Sequence, residues 1–333
     1  GMGYNPFSKE TDRTFTMRTL LLMGKGFKIF SFFKYGPTAQ VTIDFCSDDA
    51  SAIRGIADAA QLVGAKNIEP YLYEGQPVPA NTCIIYGTTS EYWQTQNKAD
   101  DNNHEKQYLY CMLTQEQIPT EMIDSFDLSR FIGSYKCAYF IDTNIRKESA
   151  EKLMSWVKNG GTLVLWPGAA SKDEYNEPSA VFPESVGKSK SGKGMIVRLD
   201  DYPGKKWWEN TKKLCADANS RWPSLFDHET SASIASYAKP YANAPVTVSA
   251  DSIIADALVS SKGTAVTLVN LQGTFDNGGA RYLNLNVTLR DGKGIKRAWS
   301  SRHGDLSLII DKNGQASVTL PLMSTDVVVF SKN

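Results

Sequence analysis

The sequence predicts a layered α/β domain built on a parallel sheet, followed by a small antiparallel β-sandwich. Three observations carry this. Residues 135–142 (YKCAYFID), 146–158 and 162–166 read as strand, helix and strand, the repeating unit of a parallel sheet. Four short apolar runs separated by helical stretches lie between about residues 80 and 200. After residue 245, apolar runs of strand length alternate with turn signals, the texture of a sandwich.

In chain order, residues 11–24 (TDRTFTMRTLLLMG) read as a helix with Phe15, Leu20 and Leu21 among its apolar positions. Lys25-Gly26 breaks it, and residues 27–35 (FKIFSFFKY) read as a strand ended by Gly36-Pro37. A lone helix and strand cannot bury this much aromatic surface, so they are expected to dock on a later domain or on chain outside this sequence. Residues 48–63 read as a helix with Ile53, Ile56, Ala57, Ala60 and Val63 on one face. Residues 82–86 (TCIIY) read as a buried strand, 104–115 as a helix and 118–123 as a strand.

In residues 146–158, Ala150, Leu153, Met154 and Val157 fall at helical spacing, and Gly160-Gly161 stops the helix. The continuous apolar run 162–166 suits a strand buried on both faces. Together these elements suggest a flavodoxin-like or amidotransferase-like layered domain. Six sandwich strands follow, at 246–248, 264–271, 282–289, 306–310, 316–320 and 326–330. Turns divide them at Asn277-Gly278-Gly279, Asp291-Gly292 and Asn313-Gly314. Residues 209–244 read as a bridge between the two domains.

The chain has 333 residues, enough for two or three domains. Hydrophobic content of 41% and charged content of 22% are those of a soluble globular protein. Lys and Arg total 36 against 36 Asp and Glu, which removes the electrostatic case for nucleic acid or an anionic membrane. No run is long enough to span a bilayer. No secretory signal opens the chain, and Gly1 before Met2 reads as a cloning remnant. Of the cysteines Cys46, Cys83, Cys111, Cys137 and Cys215, Cys83 and Cys137 sit in apolar runs and read as small buried thiols. His104, His228 and His303 are far apart, and neither a metal cluster nor a cofactor motif is present.

The segment 26–37 (GFKIFSFFKYGP), the helix carrying Ile53–Ala60, and the strands YKCAYFID and NGGTLVLWPGA resemble the C-terminal part of glycoside-hydrolase-like proteins. The arrangement is similar to family-42 β-galactosidases, over roughly residues 12–333. In that family the last helix and strand of a (β/α)8 barrel lead into a trimerisation domain of class I glutamine-amidotransferase fold, then a small β-sandwich. The resemblance implies three parts: a barrel-derived helix and strand in 1–47, an amidotransferase-like α/β domain in 48–230, and a β-sandwich in 231–333. It also implies a bacterial source, a periplasmic location and self-association into a homo-oligomer, whereas the odd count of five cysteines fits a reducing cytoplasm.

Retaining glycosidases need two carboxylates about 5–5.5 Å apart, supplied in barrel enzymes from the ends of barrel strands. This chain would keep only the final barrel strand, so no catalytic residue is assigned to it. A class I amidotransferase needs a cysteine on a sharp strand-to-helix turn and a histidine oriented by a carboxylate. Pro167-Gly168-Ala169-Ala170 stands there instead, and no His-x-Glu pair occurs. Gly187–Gly194 (GKSKSGKG) nearly matches a phosphate loop, but Gly194 replaces the hydroxyl residue, and a polar turn before a strand at Met195–Leu199 is the better reading.

Two stretches remain as candidate binding residues. Asp173, Glu174 and Tyr175 follow a strand's C-terminal end, where open α/β sheets bind ligands; the alternative is a loop whose acids cap a helix or pair with neighbours. Trp207 and Trp208 offer surfaces for a sugar ring, or else packing between domains. The overall expectation is a non-catalytic region that oligomerises and shapes a carbohydrate site, with a free-standing carbohydrate-binding protein as the alternative.

Overall fold

The computed structural model describes residues 12–30, 50–94, 101–214, 227–250, 253–271 and 282–333. The chain opens with α1 (Asp12–Gly24), α2 (Ala50–Gly64), α3 (Glu69–Glu74) and β1 (Gln76–Pro77). Next come β2 (Thr82–Tyr86), α4 (Thr88–Gln94), α5 (Asp101–Gln115), β3 (Thr120–Asp124), α6 (Leu128–Phe131), β4 (Cys137–Phe140), α7 (Lys147–Lys158) and β5 (Thr162–Leu165). Then follow β6 (Gly187–Ser191), β7 (Gly194–Arg198), α8 (Pro203–Leu214) and α9 (His228–Ala235). The last group is β8 (Val246–Val248), β9 (Ile253–Ser260), β10 (Gly263–Asn270), β11 (Tyr282–Leu289), β12 (Arg297–Ser300), β13 (Gly304–Leu306), β14 (Ile309–Ile310), β15 (Ala316–Leu322) and β16 (Thr325–Ser331). These elements form two units. The described residues of 79–214 and 227–244 make an α/β unit, and those of 12–78 and 245–333 make a β-rich unit.

The α/β unit holds a six-stranded sheet in the order β3-β2-β4-β5-β7-β6. All strands but β6 run parallel, in a doubly wound order whose reversal point lies between β2 and β4. β4 and β5 are buried at every position, which is why their sequences read as unbroken apolar runs. Helix α7 turns Ala150, Leu153 and Val157 into the core. Gly160, at φ 119, then takes the left-handed bend that a side chain resists.

The stretch 187–194, expected as a polar turn, holds strand β6 and the turn of a hairpin, and β7 is the strand expected at 195–199, displaced by one residue. A Cβ on Gly194 would lie 2.0 Å from the Val157 carbonyl oxygen, so packing against the end of α7, and not phosphate binding, explains this glycine. The described parts of 209–244 also differ from a bridge. Helices α8 and α9 pack on α5 within this unit; Ser231 Oγ donates to Gln115 Oε1 at 3.0 Å and Tyr139 Oη to the Ile234 carbonyl at 2.8 Å.

The β-rich unit has two antiparallel sheets, β1-β9-β10-β16-β12-β13 and β14-β15-β11-β8. One apolar cluster joins them through Val266, Leu268, Val328 and Phe330 from the first sheet and Leu285, Val287, Val318 and Leu320 from the second. The neighbouring positions Ala265, Val269, Val327 and Val329 point the other way, into a cluster with Met17, Leu20, Leu62 and Leu72. Strands β10 and β16 are thus buried on both faces, and a helix layer is needed to cover the outer one. Helices α1, α2 and α3 supply it.

This places α2 and α3 with the β-rich unit, whereas the sequence-based boundary at residue 48 put them in the α/β domain. The inward face of α2 only partly matches the one expected. Among its described side chains Ala59 and Leu62 are buried, Val63 of the expected face packs against the same cluster as Leu62, and Ile56 and Ala60 line a groove beside Thr19 and Met23. Residues 27–30 have no regular structure, and the rest of the expected strand 27–35 lies outside the described residues, as does the turn at Asn277-Gly278-Gly279. Strands β9 and β12 carried no sequence expectation. Among the described residues no helix is long and apolar enough to cross a membrane.

Candidate functional site

In the α/β unit the C-terminal ends of β2, β4 and β5 lead into Gly87 with helix α4, the loop 141–146 and the loop 166–180. Asp142, just past β4, is fully buried. Both of its oxygens accept from the Lys106 ammonium at 3.0 Å, and Oδ2 also accepts from the Gly87 N–H at 2.8 Å. Lys106 itself is 2% exposed and lies 4.2 Å from the centre of the Tyr86 ring. Burial pushes the Asp142 carboxyl above the usual carboxylate range, with Lys106 and the Gly87 N–H acting against that. A Cβ on Gly87 would meet the Asp142 carboxylate at 2.6 Å, so the residue after β2 must be glycine for the pair to form.

Glu105 precedes Lys106 on α5 and is also buried. Its carboxylate accepts from Trp166 Nε1 at 2.9 Å, from the Gly204 N–H at 2.9 Å and from the Lys205 N–H at 2.6 Å. It therefore caps the start of α8, where the exposed N–H groups of a helix favour an anion. Burial raises its pKa. Neither Glu105 nor Asp142 stood out in the sequence as a site residue, although an acid closing the apolar run YKCAYFID was a visible signal.

The acidic loop is built into the same edge. Asp173 Oδ1 accepts from the N–H groups of Tyr175 and Glu177, both at 2.9 Å, and its carbonyl accepts from Asn144 Nδ2 at 3.1 Å. Glu174 Oε2 accepts from the Lys147 N–H at 2.8 Å, capping α7, and its carbonyl accepts from Trp93 Nε1 at 3.1 Å. Both carboxylates are thus engaged in turn and cap geometry. Tyr175 is 74% exposed, and Tyr92, beside Trp93 on α4, is 71% exposed. These are the most exposed aromatic side chains among the described residues of this edge.

Trp207 and Trp208 are not exposed sugar platforms. Trp207 is 2% exposed and belongs to the α/β core. Trp208 stacks on Tyr108 with ring centres 5.5 Å apart, and the Lys212 ammonium lies 5.6 Å from the Trp208 ring centre. The cause is the helical spacing of α8, which turns the tandem pair toward α5. The structure brings Asp173, Glu174 and Tyr175 together and leaves the tryptophans on a separate element.

The turn after β5 carries no nucleophile. Ala169 and Ala170 are buried there, Ala170 at φ 53. Arg198 pins this turn, donating from Nη1 to the carbonyls of Trp166 and Ala169 at 3.1 Å each. Cys83 and Cys137 lie inside neighbouring strands, and burial pushes both thiols up, Cys137 to about 12, away from a reactive thiolate. His228 Nδ1 is 2.9 Å from Glu116 Oε1, and His104 stacks on Tyr108. Among the described residues no group of three or more His, Cys, Asp or Glu side chains could hold a metal ion.

No protein-family model matches the sequence, and neither does any curated protein. Solved structures do match. Gan42B, a GH42 β-galactosidase from G. stearothermophilus, aligns with a TM-score of 0.63 at 11% identity, over 97% of this chain and 51% of its own. A β-galactosidase from Rahnella sp. R3 aligns with a TM-score of 0.63 at 12% identity, over 98% and 53%. The GH42 exo-carrageenase from Bacteroides ovatus aligns with a TM-score of 0.55 at 13% identity, over 99% and 40%. At such identities the likeness is one of fold. Nearly the whole of this chain resembles a part of each neighbour, and it spans about half the length of the β-galactosidase structures it matches.

Proposed function

We propose that this chain is the non-catalytic C-terminal region of a glycoside-hydrolase-like protein, acting in self-association and in shaping a carbohydrate site. The observation that carries this is the match of 97% of the chain to 51% of a GH42 β-galactosidase, which fits a protein whose chemistry resides in the other half. The state of the sheet edge supports it. Asp142, Glu105, Asp173 and Glu174 are each held by structural hydrogen bonds, and the turn after β5 has alanine where a nucleophile would stand.

On this reading the α/β unit is an amidotransferase-like domain kept for its shape, a fold that has outlived its chemistry. The sandwich follows it, and the leading segment derives from a barrel. Exposed apolar side chains favour a covering partner for that segment: Leu22 is 41%, Phe27 55% and Ile29 87% exposed, more than an isolated helix end needs. The oligomer would be of identical chains, as bacterial glycosidases of this fold would assemble.

The test is hydrolysis of aryl β-galactosides by the purified chain. No release of the aryl group above the uncatalysed rate is expected, and turnover that scales with protein concentration would overturn the reading. A free-standing carbohydrate-binding protein is the second reading, favoured by the exposed Tyr175 and Tyr92 at the sheet edge and no longer by the tryptophan pair.

A further inference from the structure

The sheet of the α/β unit has two edges, and they are built differently. β6, at one end, presents Lys188 and Lys190 to solvent, and lysines on an edge strand oppose the addition of another strand. β3, at the other end, pairs with β2 alone among the described residues and carries no such guard. Its five residues, Thr120–Asp124, include neither lysine nor proline, since Pro119 precedes the strand, so each keeps its N–H. Alternate residues of such an edge turn their N–H and C=O groups away from the sheet, where a second strand can pair with them. Met122, at the centre, is 50% exposed. Phe126 and Phe131, in the turn and the helix that follow, are 42% and 37% exposed, and that helix, α6, packs against β3.

The acids of the strand are already engaged within the unit. Glu121 accepts from the Ala80 N–H at 2.9 Å through Oε1 and from Tyr135 Oη at 2.6 Å through Oε2. Asp124 Oδ1 accepts from the Phe126 N–H at 2.8 Å, and its Oδ2 accepts from Thr88 Oγ1. We propose that β3 pairs antiparallel with β3 of a second copy of this chain, about a two-fold axis at Met122. The strand suits its own reverse. With the axis at Met122, that residue faces its own counterpart, Glu121 faces Ile123 and Thr120 faces Asp124, so no charge meets its like. An axis at Glu121 would oppose two glutamates, which is destabilising. An axis at Ile123 would shorten the ladder, and the Met122 axis pairs all five residues. The contact is self-complementary, as a two-fold interface requires, and it brings the exposed apolar side chains of both copies together. The inference rests on the self-association proposed above and supplies its surface; its symmetry is two-fold, whereas the resemblance implies a trimerisation domain.

Sedimentation of the purified chain over a range of concentrations should show a reversible doubling of mass. Met122→Lys sets two ammonium groups against each other on the axis. It should weaken this step about tenfold or more and keep the thermal midpoint of the dilute wild-type chain, because the side chain is half exposed. Opposed Cα atoms of an antiparallel pair lie about 4.5–5.5 Å apart, within the disulfide reach of roughly 4.4–6.8 Å. Met122→Cys should therefore crosslink to a dimer under mild oxidation, faster than the wild type. It should also outpace Val186→Cys, whose side chain is 62% exposed just before β6 at the opposite edge. A wild-type chain with no doubling overturns the proposal, as does a Met122→Cys chain that crosslinks no faster than Val186→Cys. Assembly that Met122→Lys leaves unchanged overturns this surface while self-association itself stands, so the two fail separately.

Discussion

Lys106 and Asp142 set the terms for the α/β unit at the scale of single residues. An ion pair this deeply buried gains little net stability as a pair, but removing one partner strands the other. Lys106→Met should therefore cost about 3–5 kcal/mol, read by urea unfolding, and the Lys106→Met/Asp142→Asn double variant should recover much of the loss. The sign of the pH effect follows from the direction of the Asp142 shift. Its folded pKa is raised by burial, and loss of Lys106 removes the main opposing charge. In the single variant, stability should thus be greatest at acid pH and fall as pH rises through the raised pKa. A variant equally stable at pH 5 and pH 8 would contradict this. Asp142 was readable as a strand-terminal acid, but its partner was not: nothing in helix-period reasoning marks Lys106 as buried, because the signal is the three-dimensional approach of α5 to the end of β4.

Secondary-structure elements show where local pattern suffices and where it fails. The helix α7 and strands β2, β4 and β5 lie within a residue or two of their expected bounds, since Ala150, Leu153 and Val157 and the unbroken apolar runs answer directly to one burial environment. The stretch 187–194 failed because its lysines and glycines carry no apolar alternation. Strand β6 is a mostly exposed edge, and β7 begins at Gly194 because nothing larger fits against α7. Gly194→Ala should destabilise the unit by about 1–3 kcal/mol through overpacking, measured as a lowered urea midpoint; an unchanged midpoint would show that the hairpin can withdraw from α7. Helix α2 matches its expected face only in part: Val63 packs on the core as expected, but Ala59 and Leu62 join it, since its small residues give two adjoining apolar stripes.

For the whole molecule, the texture change after residue 245 correctly announced a sandwich, and the leading helix was expected to dock on a later domain, while the grouping of α2 and α3 with the sandwich was invisible. The need for a helix layer arises from β10 and β16 being apolar on both faces, a fact that only pairing reveals. The candidate site was half legible: the acidic loop 173–177 does sit at the sheet edge, and its acids do cap and brace it. Trp207 proved to be core and Trp208 half-buried against Tyr108. The central claim, that this chain is the non-catalytic part of a larger glycosidase-like protein, is tested most directly by the mass of the native protein in its source cells, by immunoblot with antibody raised against this chain. The account predicts a species larger by roughly 200 residues or more, about the remainder of a barrel. A single band at the 36.8 kDa of this chain would contradict it.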